Sequence, residues 1–125
     1  MQKKKILIID DEVAFTEMVK LNLEATGRFV VKIENDPRTA LQLAVSFFPD
    51  LILLDIIMPD IEGPDVIAMF REDPVLRDVP VIFLTATIRK NEAHEQDGLI
   101  GGRSFLAKPC SVNELVSAID AHLSV

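Results

Sequence analysis

Runs of apolar residues too short for buried helices recur along the chain, and segments with apolar residues on one helical stripe separate them. Ile6–Ile9, Leu51–Leu54 and Val81–Leu84 are continuous apolar runs, the pattern of strands covered on both faces in a parallel sheet. Phe29–Ile33 alternates more, as expected near a sheet edge, and Ser104–Ala107 supplies a fifth strand. Between them, Phe15, Met18, Val19 and Leu23 share a helical stripe that Gly27 stops. Asp36-Pro37 opens a second helix with Ala40, Leu41, Ala44 and Phe47 inward. Gly63-Pro64 opens a third with Val66, Ile67 and Phe70 inward, and Asp73-Pro74 ends it. Ser111 and Glu114 form a capping box ahead of Leu115, Val116, Ile119 and Leu123. Arg89–Asp97 is the weak element, with Ala93 its only apolar residue. A helix there is expected to be short, displaced or poorly ordered, anchored by Leu99 and Ile100.

Strand and helix alternate five times, and parallel crossovers are right-handed. The predicted fold is therefore α/β: a doubly wound five-stranded parallel sheet, order 2-1-3-4-5, with helices on both faces, flavodoxin-like. The 125 residues read as one domain, 1–125, and the last helical pattern leaves no stretch for an output domain. A net charge of -7 and a pI near 4.7 argue against direct nucleic-acid binding. Cys110, the single cysteine, allows neither a disulfide framework nor a thiolate cluster and reads as a buried filler. The apolar run after Lys3-Lys4-Lys5 is cut by Asp10 after four residues, too soon for a signal core or a membrane span, so a cytoplasmic protein is expected.

In this topology the carboxyl ends of four strands share a rim, which carries Asp10, Asp11, Asp55, Thr85 and Lys108. Two carboxylates about 4 Å apart repel by roughly 4 kcal/mol at an effective dielectric near 20. Three on one rim therefore either take up protons or bind a cation. An all-oxygen site with few protein ligands suits magnesium, with phosphate oxygens completing its shell. A carboxylate nucleophile, a divalent cation, a lysine and a hydroxyl are the parts for transferring a phosphoryl group to an aspartate. Taken singly, each has a plainer use: Asp10-Asp11 as a helix cap, Lys108 as a solvated lysine, Thr85 as a strand former. Their joint occurrence at four strand ends is what points to chemistry.

Asp10-Asp11-Glu12, Leu53-Leu54-Asp55-Ile56-Ile57-Met58-Pro59, Gly63, Thr85-Ala86 and Lys108-Pro109 together resemble the receiver domain of two-component response regulators, in particular the single-domain, chemotaxis-regulator-like form. The resemblance implies that Asp55 accepts a phosphoryl group from a sensor histidine kinase or a histidine phosphotransfer protein. It implies that Asp11, Asp55 and the Ile57 carbonyl bind Mg2+ directly, and Asp10 through water. Thr85 and Lys108 would contact the phosphoryl oxygens, and Phe105 would be the aromatic switch beside Thr85. Such a protein catalyses its own phosphorylation and dephosphorylation without being a conventional turnover enzyme. The phosphoryl group would bias the surface of the fourth helix, fifth strand and fifth helix toward a downstream protein target. His94 and His122 match nothing in that site and are expected at the surface.

Rival uses of the fold fit less well. A haloacid-dehalogenase-type phosphatase needs a second acid where this chain has Ile57. A flavodoxin needs a hydroxyl- and glycine-rich loop where it has Asp10-Asp11-Glu12, and Trp or Tyr to stack a flavin. The remaining alternative is a phosphorylation-independent docking module of the same fold, against which the intact acidic pocket weighs.

Overall fold

The computed structural model describes residues 3–56, 63–85, 99–100, 103–108 and 110–123. Within them the strands are β1 (Lys4–Ile9), β2 (Phe29–Glu34), β3 (Leu51–Asp55), β4 (Val81–Thr85), β5 (Leu99–Ile100) and β6 (Arg103–Ala107). The α-helices are α1 (Val13–Ala25), α2 (Ala40–Phe47), α3 (Gly63–Glu72) and α4 (Val112–Leu123), with a 3-10 turn at Pro37–Thr39 leading into α2. The five longer strands are parallel in the order β2-β1-β3-β4-β6, the expected doubly wound sheet.

Strand alternation sorts the core into two layers. Ile6, Ile8, Leu51, Leu53, Ile82 and Leu84 face one way, onto Val19 and Leu23 of α1 and Leu115 and Ile119 of α4. Leu7, Ile9, Ile52, Leu54, Val81 and Phe83 face the other, onto Ala40 and Ala44 of α2 and Val66, Ile67 and Phe70 of α3. Every residue of β3 and β4 is buried, which explains why these strands show no polar alternation in the sequence.

Local signals set the element ends. Gly27 takes φ +78°, a left-handed conformation, and its N–H donates to the Glu24 carbonyl just beyond α1. Asp36 caps the 3-10 turn by accepting from the Arg38 N–H at 2.9 Å. The capping box is present in both directions: Ser111 N–H donates to Glu114 Oε1 at 2.9 Å, and Glu114 N–H donates to Ser111 Oγ at 3.1 Å. Cys110 is buried against the α1/α4 layer, and burial pushes its thiol up to about 11, so it is an inert filler at neutral pH.

Three expectations change. Met18 is 42% exposed, and Thr16 takes the inward position of α1 instead. Thr16 can be buried because its hydroxyl donates to the Val13 carbonyl and accepts from Asn35 Nδ2 at 3.0 Å. Leu99 and Ile100 do not anchor a helix: they form an antiparallel strand against Ser104 and Arg103, which adds a sixth, two-residue edge to the sheet. The Arg89–Asp97 segment lies outside the described residues. His122 is half-buried rather than superficial, its ring lying 2.7 Å from Ser104 Oγ and 2.9 Å from the Ala118 carbonyl, so it ties β6 to α4.

Candidate functional site at the carboxyl ends of the strands

Register alone brings the candidate residues together. Ile9 pairs with Leu54, so Asp10, one residue on, lies beside Asp55 at the end of β3. Asp55 pairs with Leu84 and Thr85 with Ala107, so Thr85 and Lys108 follow at the ends of β4 and β6. The Lys108 N–H donates to the Thr85 carbonyl at 3.0 Å, fixing the lysine's backbone to that rim. By the same alternation, Asp55 and Lys108 fall on the α1/α4 side of the sheet, whereas Thr85 and Phe105 fall on the α2/α3 side.

The side chains converge accordingly. Asp10 is fully buried, Asp55 is 5% exposed and Thr85 is buried, whereas Asp11 and Glu12 lie toward solvent. One carboxylate oxygen from each of Asp10, Asp11 and Asp55 lies within 4.8 Å of the other two. Asp10 Oδ1 accepts from the Glu12 N–H at 3.0 Å, and its Oδ2 accepts from Lys108 Nζ at 2.8 Å. Lys108 Nζ also contacts Glu12 Oε1, stands 3.8 Å from Asp55 Oδ2, and lies 4.7 Å from the centre of the Phe15 ring. The Phe105 ring packs against Phe83 with centroids 5.5 Å apart. Ile57 lies outside the described residues, as do Ala86 and Pro109.

Three carboxylates, of Asp10, Glu12 and Asp55, thus lie within 4.0 Å of the Lys108 ammonium, and Asp11 stands close to two of them. Burial raises the Asp10 pKa above its ordinary value, and the hydrogen bonds from Lys108 and the Glu12 N–H only partly oppose it. Burial by itself would lower the Lys108 pKa. The hydrogen bonds to Asp10 and Glu12 and the nearby Asp55 charge outweigh it, so Lys108 is also raised. Asp10 thus holds its proton through burial, and Lys108 holds its own through the anions around it. The pocket's donor set is all carboxylate oxygen, and opposite ligands of a magnesium ion stand about 4.2 Å apart. Oxygens within 4.8 Å fit such an ion after a small side-chain adjustment.

Two contributors carried no role in the sequence reading. Asn35 Nδ2 donates to the Asp10 carbonyl at 2.8 Å as well as to Thr16, so it braces the acidic loop from behind. Glu12 is the other: its carboxylate meets Lys108. An asparagine one residue past a strand's last alternating position gives no hydrophobic signal that could single it out.

The sequence profile described as response regulator receiver domain matches residues 6–120. The chain belongs to that family. This receiver is 36% identical over 119 residues to the DNA-binding dual master transcriptional regulator RpaA of Synechocystis, covering 95% of this chain and 48% of that protein. It is 32% identical over 120 residues to the polar-differentiation response regulator DivK of Brucella anthropi, covering 96% of each. Among solved structures it superposes on the chemotaxis protein CheY4 of Vibrio cholerae with a TM-score of 0.83, at 25% identity over 98% of this chain and all of that one. The receiver spans about half the length of the transcriptional regulators it matches, and nearly all of DivK. Receivers of this family take phosphoryl groups from kinases, act on downstream targets and generally bind Mg2+ at an acidic pocket. Among the described residues no helix is long and apolar enough to cross a membrane.

Proposed function

We propose that this receiver is a magnesium-dependent phosphoacceptor acting in the cytoplasm, with Asp55 the residue phosphorylated by a sensor histidine kinase or a histidine phosphotransfer protein. The observation that carries the reading is the position of Asp55, buried at the end of the central strand with Lys108 Nζ 3.8 Å away and Asp10 and Asp11 close by. In the transfer, an Asp55 carboxylate oxygen forms a bond to phosphorus as the bond from phosphorus to the donor imidazole nitrogen breaks. The electron pair of that bond returns to the imidazole. Lys108 balances charge on the equatorial phosphoryl oxygens, and the Thr85 hydroxyl donates to one of them. Asp11, Asp55 and the Ile57 carbonyl would hold Mg2+ directly and Asp10 through water. When bound, the ion supplies positive charge to the transferring oxygens.

The output would follow from the split placement across the sheet. Three new acceptor oxygens on Asp55 draw the Thr85 hydroxyl toward them. Phe105, one strand over on the same side as Thr85, then repacks against the space released and alters the β6–α4 surface seen by a protein target.

Incubation with acetyl phosphate and magnesium, read by intact mass, tests the assignment. The expected product carries one phosphoryl group, and chelation with EDTA stops its formation. No gain in mass with magnesium present would leave the phosphorylation-independent docking module as the better account.

Magnesium should also stabilise the folded protein by mass action. At a hundredfold excess over Kd the gain is about 2.7 kcal/mol, which for a domain of this size is a rise of roughly ten degrees in Tm. Asp11→Ala should erase the shift. The effect should shrink on acidification. The Asp10 pKa is raised in the folded state, so the fold takes up a proton as pH falls from that raised value toward the ordinary 3.8. That proton and the cation neutralise the same buried charge, so each makes the other less necessary. A melting temperature indifferent to millimolar magnesium at pH 7 would count against an assembled site.

A further inference from the structure

Asp10, Asp11 and Asp55 account for the cation and the nucleophile, which leaves Glu12 as an acid without a task in that scheme. Its carboxylate contacts Lys108 Nζ, the group that must reach the phosphoryl oxygens. The lysine ammonium has three protons. One is directed to Asp10 Oδ2 at 2.8 Å and a second to Glu12 Oε1. Asp55 Oδ2, at 3.8 Å, lies beyond hydrogen-bonding distance from Nζ.

The two anions that hold the lysine differ in their freedom to leave. The Asp10 side chain has no exposure and is also fixed by the Glu12 N–H, whereas the Glu12 side chain is 59% exposed. Lys108 itself is only 7% exposed, with Phe15 along one side, so the ammonium has little room except within this ring of acids. If Lys108 is to pair with a phosphoryl oxygen on Asp55, the contact that can be given up is the one to Glu12, whose carboxylate can turn into water.

We infer that Glu12 is a positioning residue for Lys108: it occupies the place of the phosphoryl charge on the ammonium at rest and yields it when Asp55 is phosphorylated. This inference rests on the phosphoacceptor reading above and adds a competitor to it. Glu12 steadies Lys108 at the rim of the resting pocket, and it opposes phosphorylation by having to be displaced. Its backbone place is set independently, because the Glu12 carbonyl accepts the first hydrogen bond of α1 from the Thr16 N–H. Glu12→Gln therefore removes the charge while keeping the helix start.

The test is a two-by-two comparison of phosphorylation rates with acetyl phosphate and magnesium: parent, Glu12→Gln, Lys108→Met and the double variant, all followed by intact mass. Ion pairs with one exposed partner are worth up to about 1 kcal/mol, so Glu12→Gln should speed phosphorylation roughly two- to five-fold in the parent background. In the Lys108→Met background the same substitution should change nothing, because no ammonium is left to release. A merely structural role for Glu12 would lower the melting temperature and slow both backgrounds alike. A rate in Glu12→Gln equal to or below the parent's overturns the inference while leaving Asp55 as acceptor. So does a gain that persists without Lys108, which would mark general repulsion of the anionic donor. A parent that gains no phosphoryl group at all removes the proposed function and this inference together.

Discussion

Asp55→Asn is expected to take up no phosphoryl group and, in magnesium-free buffer, to melt higher than the parent. The first effect is all-or-none, since the amide is not a nucleophile toward phosphorus under these conditions. The second follows from crowding. Asp10 and Asp55 stand side by side by strand register, both buried, with Asp11 close. Full charges about 4 Å apart repel by roughly 4 kcal/mol at an effective dielectric near 20. Lys108, 3.8 Å from Asp55, returns part of that energy. A net relief of about 1 kcal/mol, or roughly three to five degrees, is a reasonable scale for a domain of this size. Saturating magnesium should reverse the order, because the parent binds the ion more tightly than the variant. A variant phosphorylated at the parental rate would move the acceptor elsewhere. One that melts lower without magnesium would show that Asp55 contributes more through its hydrogen bonding than it costs in repulsion.

Lys108→Met should combine a kinetic and a thermodynamic loss. Removing a preorganised donor from developing charge costs about 10²–10³ in rate. Methionine has a stem of similar length but leaves Asp10, which has no exposure, without its ammonium partner, and the Phe15 ring without its cation. Breaking a buried pair from one side costs about 3–5 kcal/mol. The sign with pH is fixed by the same pair. With the lysine gone, the Asp10 pKa rises further. The penalty is then largest above the raised value and fades as pH falls through it and Asp10 becomes neutral. Magnesium should relieve it at neutral pH as well. Urea unfolding at pH 7, with and without magnesium, measures this directly. Stability equal to the parent's in EDTA would mean that the pair is not what holds the pocket. Lys108→Arg should restore stability better than transfer, because the planar guanidinium cannot serve as the same point donor.

Much of this was legible in the residues because two strong regularities coincide. Continuous apolar runs of strand length mark β1, β3 and β4, and each ends on a polar residue that topology must deliver to one rim. Caps at Asp36 and Ser111 mark helix starts by chemistry that hydropathy does not carry. Reading failed where polarity and burial part company. Thr16 goes inward because Asn35 and a carbonyl satisfy its hydroxyl, whereas hydropathy alone favours the apolar Met18. Two residues, Leu99 and Ile100, are too few to distinguish a helix period from a strand period. Glu12 lies in a run of three acids, and only the three-dimensional arrangement shows that its carboxylate reaches Lys108, 96 residues away.

The burial of β4 on both sides has a mechanical consequence. Val81 and Phe83 are set into one layer, Ile82 and Leu84 into the other. Sliding this strand by one residue would exchange the two sets and break both packings at once. The strand therefore behaves as a fixed axle: it can neither advance nor retreat when something binds at its tip. Motion at this strand's tip is left to torsions of the terminal Thr85, a rotation of one hydroxyl rather than a stroke of the sheet. If Asp55 takes up a phosphoryl group as proposed, a message formed on that side would cross to the other through the turn of a single residue, with the five parallel strands as the stator against which it turns.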